Sequence, residues 1–362
     1  MNILHFISCP ASGGAEVYVK DLSKELSRVG HRVYVGFLER AADVGRNLEY
    51  ERAFLAELES EGITYFFAGN ECRKKPWLGV SRVRDFARKH GVEVYHSHLP
   101  YGVVFSALLR IPCIYTHHSS EPRISQWIFR AFNFRVHTYV GISTLCASRL
   151  HSYTRKPVVT ITNAVDPVKL HQISTDSFNR KKLRGIAVGR ITPQKNYFLL
   201  VDAISRLTRE LRENFVVYIA GEGPAEHVDS LVKYIQALGL TENLMLLGNC
   251  THIADELAKS DVFLMSSAWE GVPIALIEAG LSGLPCVVTD VGGCREVIEV
   301  LRNGIVVPPD DPDAFSNGLG LLLGDSMRRR EFSNNALANS YEFTIHRACV
   351  QHVSVYEKAV RS

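Results

Sequence analysis

Residues 266–293, SSAWEGVPIALIEAGLSGLPCVVTDVGG, decide how this chain is read. Just before them, residues 261–265 (DVFLM) make an apolar run of strand length. Pro273 stands where a helix begins, because its fixed φ suits the first turn and its missing N–H is not needed there. Residues 274–282 fit that helix, Gly283 its stop, and residues 286–290 (CVVTD) the next strand. The spacing therefore predicts a strand–loop–helix–strand unit, with Glu270 on the loop and Glu278 about one turn into the helix. In open parallel sheets, ligands bind in the crevice at the carboxyl ends of the strands. The N–H groups of Gly271, Val272 and Ile274 favour an anion at that helix start. Oxygen acceptors for hydroxyls beside a helix N-terminus for phosphate suit a nucleotide-sugar. The plain alternative is that Glu270 offsets the helix dipole and Glu278 is a solvated helix residue. Spacing alone does not separate the two.

Eight ordered positions go further: Glu270, Gly271, Pro273, Glu278, Gly283, Pro285, Gly292 and Gly293. They resemble the paired-glutamate segment of family 4 retaining glycosyltransferases. That resemblance implies an α/β protein of GT-B fold, two Rossmann-like domains facing across a cleft. Gly280 departs from the family, which more often has a larger residue there. Glycine inside a helix costs about 1 kcal/mol relative to alanine, so this helix is expected to be softened or closely packed.

The whole chain is compatible with that. Its 362 residues are enough for two domains with separate cores. Apolar content of 46% and charged content of 22% are those of a soluble globular protein. Met1 runs directly into NILHFIS, without the basic start and cleavage site of a signal peptide. No apolar run is long enough to span a membrane. The eight cysteines form no C-x-x-C pair, which argues for reduced thiols in a cytoplasmic protein and against disulfides or zinc. Charge is unevenly spread. Residues 1–165 hold 21 Lys+Arg against 14 Asp+Glu, a balance of +7, and the remainder 20 against 24, a balance of −4. A basic first half calls for an anionic partner, such as a membrane surface or a charged acceptor.

Along the first half, apolar runs and helical patterns alternate. Strands are predicted at residues 3–8, 31–38, 63–68, 92–98, 113–117, 136–143 and 158–163. Helices are predicted after Gly13–Gly14 (with Val17, Leu22, Leu26 and Val29 as its apolar side) and at residues 52–61, 79–90 and 101–109. Such alternation means a parallel sheet covered by helices on both faces. Gly13–Gly14 permits close backbone approach to a ligand, but a plain strand-to-helix turn explains it equally. Residues 70–90 and 123–135 mix basic residues with Trp77, Trp127, Phe129, Phe132 and Phe134. They suit helices at an anionic bilayer surface, or ordinary core-facing helices with solvated charges. No nucleic-acid motif accompanies the charge. His96, His98, His117 and His118 fall at strand ends. H-x-H has metal-ligand spacing, yet no carboxylate set stands beside it, and no metal is assigned; a hydrogen-bonded histidine is the commoner explanation.

The resemblance assigns further residues. Pro112, Thr116 and His118 match the family's strand that ends near the transferring sugar, with His117 the alternative in register. Gly14 matches a glycine facing the donor phosphates. Residues 163–166 (NAVD) resemble the interdomain motif, with Ala164 for glycine, and residues 170–180 fit a linker. Residues 189–196 (GRITPQKN) resemble the family's diphosphate loop, with Asn196 for glycine; Arg190 and Lys195 then hold the leaving diphosphate without a metal. Residues 249–253 fall near the base, and residues 344–361 match the terminal helix that crosses back. The implied domains are 1–168, 181–343 and 344–362.

The implied activity is hexosyl transfer from a nucleotide-sugar, UDP- or GDP-linked, to an acceptor hydroxyl with the anomeric configuration retained. Donor contacts would come from Gly14, Arg190, Lys195, Gly271, Val272, Pro273, Ile274 and Glu278, the last at the ribose, with Glu270 and His118 at the reacting sugar. No side chain stands out as a covalent nucleophile; in the family's usual proposal the leaving phosphate takes the acceptor's proton. The basic first half makes a lipid-linked or lipopolysaccharide-type acceptor the preferred expectation, at the inner face of the cytoplasmic membrane. No cofactor is implied, the nucleotide-sugar being a substrate. A catalytically silent binding scaffold of the same fold is the second reading. A nucleotide-dependent dehydrogenase is a third, but G-x-G-x-x-G with its acidic partner is missing.

Overall fold

The structure, a computed structural model, describes residues 1–119, 126–173, 180–250 and 252–362. Residues 123–125 of the aromatic–basic stretch, residues 174–179 of the expected linker and Thr251 of the expected base loop lie outside the described residues.

The chain divides into two units, Met1–Val165 with Ile345–Ser362, and Asp166–Thr344. In chain order the first contains β1 (Asn2–Ile7), α1 (Gly14–Arg28), β2 (Arg32–Phe37), α2 (Leu48–Ser60), β3 (Thr64–Phe67), α3 (Pro76–Lys89), β4 (Val94–Ser97), α4 (Pro100–Phe105), β5 (Cys113–His117), α5 (Gln126–Phe132), β6 (Val136–Gly141), α6 (Thr144–Tyr153) and β7 (Val158–Thr160). The second contains β8 (Leu183–Val188), α7 (Tyr197–Ser205), α8 (Arg209–Glu213), β9 (Phe215–Ala220), α9 (Ala225–Ala237), β10 (Leu244–Gly248), α10 (Ile253–Ala258), β11 (Val262–Met265), α11 (Ile274–Leu281), β12 (Cys286–Thr289), α12 (Cys294–Leu301), β13 (Gly304–Val307), α13 (Pro312–Gly324) and α14 (Ser326–Asn339). The last helix, α15 (Ile345–Arg361), belongs to the first unit.

Each unit is one parallel sheet between helices. Among the described residues the strand orders are β3-β2-β1-β4-β5-β6-β7 and β10-β9-β8-β11-β12-β13. Strands covered on both faces read as unbroken apolar runs rather than alternating ones, as β11 does with four buried residues. The order reverses direction between β1 and β4 in the first sheet and between β8 and β11 in the second. Ligands of open α/β sheets bind at such switch points, beyond the carboxyl ends of the strands.

Several boundaries differ from the sequence expectations, each for a local reason. α2 starts earlier, at Leu48, because Asn47 caps it, its Oδ1 accepting from the N–H of Glu49 at 2.8 Å and of Tyr50 at 3.1 Å. α4 stops at Phe105, not at 109. The Ser106 carbonyl instead accepts from Arg135 Nε at 2.8 Å. β6 stops at Gly141 because Ser143 caps α6, accepting from Cys146 N at 3.1 Å. Val29 is not part of the apolar side of α1: it lies just past the last turn and is 46% exposed. The aromatic–basic stretch divides, with Phe129 and Phe132 in the core and Trp127 and Phe134 exposed. All eight cysteines are free thiols, seven of them buried.

Candidate active site

In the second unit, the loops after β8 and β11 meet at the switch point. Their backbones join where Ala268 N donates to Gln194 O at 2.8 Å, and Ser266 Oγ donates to Lys195 O at 3.0 Å. The meeting places Lys195 Nζ 2.6 Å from Glu270 Oε1. Ser267 Oγ donates to the same carboxylate oxygen at 2.7 Å, and Gln194 Nε2 to Oε2 at 3.3 Å. Ser267 is itself held, its carbonyl accepting from Thr289 Oγ1 at 2.6 Å. Glu270 is thus a buried carboxylate met by three side-chain donors, one of them cationic.

Backbone shape makes this possible. Gly189 has φ +152, and a Cβ there would lie 2.5 Å from Lys195 Cε, so the lysine stem crosses the bare backbone. Gly292, at φ +55, passes so close to the Glu270 loop that a Cβ would stand 2.2 Å from the Glu270 carbonyl oxygen. Gly293 N then donates to Gly271 O at 2.6 Å, which pins the loop. Asn196 begins α7 in the left-handed region, φ 45. This position favours glycine, and asparagine is among the few other residues that accept it.

Pro273 ends the loop as the residue capping α11, and Ile274 is the first residue of that helix. Val272 and Pro273 are buried; Gly271 and Ile274 are half-buried. Glu278 lies one turn into α11 and is half-buried. Arg190, on the loop with Lys195, is exposed and makes no ion pair among the described residues. Gly280 lets α11 lie against α12, since a Cβ would meet Leu301 Cδ1 at 2.3 Å; of the two expectations for this glycine, close packing is the one observed.

In the first unit, Gly14 is the exposed first residue of α1, immediately after the capping Gly13. His118 directly follows β5 and is half-buried. His98 Nδ1 lies 2.9 Å from His118 Nε2, and His98 Nε2 lies 2.9 Å from His5 Nδ1. His5 stands opposite His96 across the β1–β4 switch point. His96 meets Tyr356 Oη at 2.6 Å and Thr116 Oγ1 at 2.7 Å, and Tyr18 Oη meets His352 Nε2 at 2.9 Å. Helices α1 and α15 therefore seal a buried histidine cluster. Burial pushes His5, His118 and His352 down to about 3, and holds His96 and His98 well below the usual histidine range. Nitrogens of His5, His96 and His98 lie within 4.8 Å of one another, but these rings are already engaged in the hydrogen bonds just given. His117 turns elsewhere, its Nδ1 3.0 Å from Tyr115 Oη and its ring against Phe129.

Comparison with known proteins identifies the scaffold. A family model described as Glycosyl transferases group 1 matches residues 172–338, and one described as Glycosyltransferase Family 4 matches residues 12–169. The chain belongs to glycosyltransferase family 4. A UDP-Gal:alpha-D-GlcNAc-diphosphoundecaprenol alpha-1,3-galactosyltransferase of Escherichia coli is 25% identical over 75% of this chain and 78% of its own. An N-acetyl-alpha-D-glucosaminyl L-malate synthase of Bacillus anthracis is 23% identical over 98% of this chain and 97% of its own. Among solved structures, Anabaena HepE in complex with UDP has a TM-score of 0.83 at 20% identity, over 99% of this chain and 100% of that one. The fold is GT-B, and the chain is a glycosyltransferase.

For this glycosyltransferase, sequence reasoning missed the residues that hold the site residues. Gln194 and Ser267 stand inside the two quoted motifs, yet only the meeting of the loops shows that both serve Glu270. The H-x-H spacing pairs His98 only with His96; its bond to His5 on β1 crosses 93 positions of chain and carries no spacing signal.

Proposed function

We propose that this protein transfers a hexosyl group from a nucleotide-sugar, UDP- or GDP-linked, to a hydroxyl of a lipid-linked glycan or a lipopolysaccharide or exopolysaccharide precursor, with the anomeric configuration retained. The observation that carries the reading is the Lys195–Glu270 pair at the β8–β11 switch point, beside the start of α11. A lysine and a helix N-terminus suit a diphosphate; a buried carboxylate suits sugar hydroxyls. Arg190, exposed on the same loop, adds a second cation. Two cations stabilise the charge that grows on the leaving diphosphate, and the reaction then needs no metal. Glu278 takes the ribose hydroxyls and Glu270 the donor sugar. In the first unit Gly14 and His118 are the proposed site residues, and the leaving phosphate takes the acceptor's proton.

The relatives support the substrate classes. The E. coli relative is named for a UDP-sugar and a diphosphoundecaprenol-linked acceptor. A lipopolysaccharide core mannosyltransferase of Rhizobium meliloti is 27% identical over 59% of this chain. No described helix is long and apolar enough to cross a membrane. Peripheral attachment to the inner face of the cytoplasmic membrane is the corresponding proposal. Trp77, Trp127 and Phe134, exposed by 63%, 75% and 93% in the basic unit, support it. Flotation with anionic vesicles at low salt tests this part, and failure to float removes it.

The donor site is tested by thermal shift with UDP, GDP, ADP and their sugar conjugates, with and without chelator. One nucleotide is expected to stabilise the protein selectively, by about 2.7 kcal/mol at a hundred times its Kd. The shift should survive chelator and vanish in Lys195→Ala and Glu278→Ala. No shift with any nucleotide at millimolar concentration would overturn the donor-site assignment.

A further inference from the structure

The geometry points to His98 as a positioning residue that holds His118 in the tautomer with its proton on Nδ1, so that His118 meets its ligand as a neutral hydrogen-bond donor. The functional weight of this rests on the reading of His118 as a site residue; the tautomer itself does not.

The argument starts from the two ring-to-ring bonds, His118 Nε2 to His98 Nδ1 and His98 Nε2 to His5 Nδ1, each 2.9 Å. A neutral imidazole has one N–H and one bare nitrogen. Burial keeps all three rings neutral. The other titratable groups packed around them include His96, His117, His352, Tyr18 and Tyr356, and none of these supplies a negative charge that would favour an imidazolium. His98 therefore donates to one neighbour and accepts from the other. Both bonds must run in the same direction, and the tautomers of His5 and His118 are locked together.

Two arrangements follow. In one, His118 donates inward and the row ends with an N–H on His5 Nε2. In the other, His5 donates outward and the row ends with an N–H on His118 Nδ1. Both end atoms are buried without a hydrogen-bond partner among the described residues. They are not equivalent. His5 is 0% exposed, and its ring faces His96 and Tyr356, whose polar atoms are already engaged with each other. An orphan N–H sealed there is costly and rare. His118 is the half-buried end, at the close of β5. The outward arrangement moves the unsatisfied donor to the one half-buried ring of the three, at the end of the row nearest the surface, and leaves only a bare lone pair inside. With its proton on Nδ1, His118 has no base to offer from that atom. It can donate to a hydroxyl or phosphate oxygen, which agrees with a reaction in which the leaving phosphate takes the proton.

The test is a long-range proton–nitrogen NMR correlation on histidine-labelled protein at pH 7, with His118 and His5 assigned by their loss in His118→Gln and His5→Gln. The expected result is a protonated Nδ1 and a bare Nε2 on both residues. A proton on Nε2 of either, or an imidazolium at His118, overturns the inference without any further variant. His98→Leu should release the His118 proton to redistribute toward Nε2. His98→Asn, whose amide donates from the place of Nδ1, should restore it. An unchanged His118 pattern in folded His98→Leu also overturns the inference. Turnover of His118→Ala with the sugar conjugate of whichever nucleotide stabilises the protein separates the two layers. Undiminished turnover would remove His118 from the site while the tautomer result stood.

Discussion

The two sheets reverse their strand order at equivalent places, β1 beside β4 and β8 beside β11, and fill those places with opposite chemistry. The second unit buries a carboxylate and surrounds it with donors from Lys195, Ser267 and Gln194. The first buries four histidines, His5, His96, His98 and His352, beside the half-buried His118, and desolvation lowers the pKa of all five. Burial forces a titratable group either to find a partner or to become neutral. A paired charge suits a diphosphate and a polarised sugar. A neutral donor array suits uncharged hydroxyls. The same strand order thus supports two kinds of switch point, one built on a paired charge and one on neutral rings.

The largest expected effect is on acid stability, and it is confined to the first unit. A histidine whose folded pKa is depressed resists a proton that the unfolded chain accepts. Its contribution to stability is intact above about pH 6.5 and is lost as pH falls toward its folded value near 3. Each such group costs about 1.4 kcal/mol per pH unit within that window. Counting only His5 and His352, which are 0% exposed, the loss between pH 6 and pH 4 is about 5 kcal/mol, comparable to the whole stability of an ordinary domain. Pulsed hydrogen exchange after incubation at stepped pH should show β1, β4 and α15 opening before β8, β11 and α11. Simultaneous opening, or the second unit opening first, would break the comparison.

A second experiment sharpens the other half. Removing one partner of a buried ion pair leaves an uncompensated charge and costs about 3–5 kcal/mol. Lys195→Met should therefore destabilise the second unit through Glu270, and should lower turnover by about 10²–10³-fold as the diphosphate loses its cation. The double variant Lys195→Met/Glu270→Gln removes both charges. It should recover most of the stability, read as the urea midpoint, and none of the turnover. Recovery of both would mean that the pair is structural and that the donor is bound elsewhere.

Most of the architecture could be read from the chain, because buried parallel strands are local signals. The apolar run at 113–117 coincides with β5, and those at 261–265 and 286–290 match β11 and β12 to within a residue. The helix 274–282 could be read because Pro273 and Gly283 mark its ends, and α11 ends within a residue of that reading. Boundaries failed where a side chain ended an element: Asn47, Ser143 and Arg135 act through hydrogen bonds that periodicity does not register. Phe129 and Trp127 are two residues apart in one aromatic stretch, yet one is buried and the other 75% exposed; composition cannot sort them. The motif residues themselves were legible by resemblance. Their holders were not, because Gln194 reaches Glu270 across 76 positions of chain, and His5 reaches His98 across 93.

The smallest expected effect lies at Asn196, where this chain has asparagine and the family it resembles commonly has glycine. The residue stands at φ 45 immediately after Lys195, so its backbone shape helps aim the lysine. Asparagine accepts this region at modest cost, and its Nδ2 donates to Asp310 Oδ1 at 3.0 Å across the surface. Asn196→Gly would relieve the backbone, lose that exposed bond and loosen the unfolded chain; these terms oppose one another and leave a net change within about 1 kcal/mol. Turnover should stay within about twofold of the parent, since the Lys195–Glu270 pair needs only the shape. Asn196→Val keeps neither the side-chain bond nor an easy left-handed φ, and should cost about 1–2 kcal/mol or more, with turnover falling alongside as Lys195 is re-aimed. If Asn196→Gly instead lost tenfold or more in turnover while its urea midpoint held, the amide itself would touch the donor, and the loop's service to the site would extend beyond positioning Lys195.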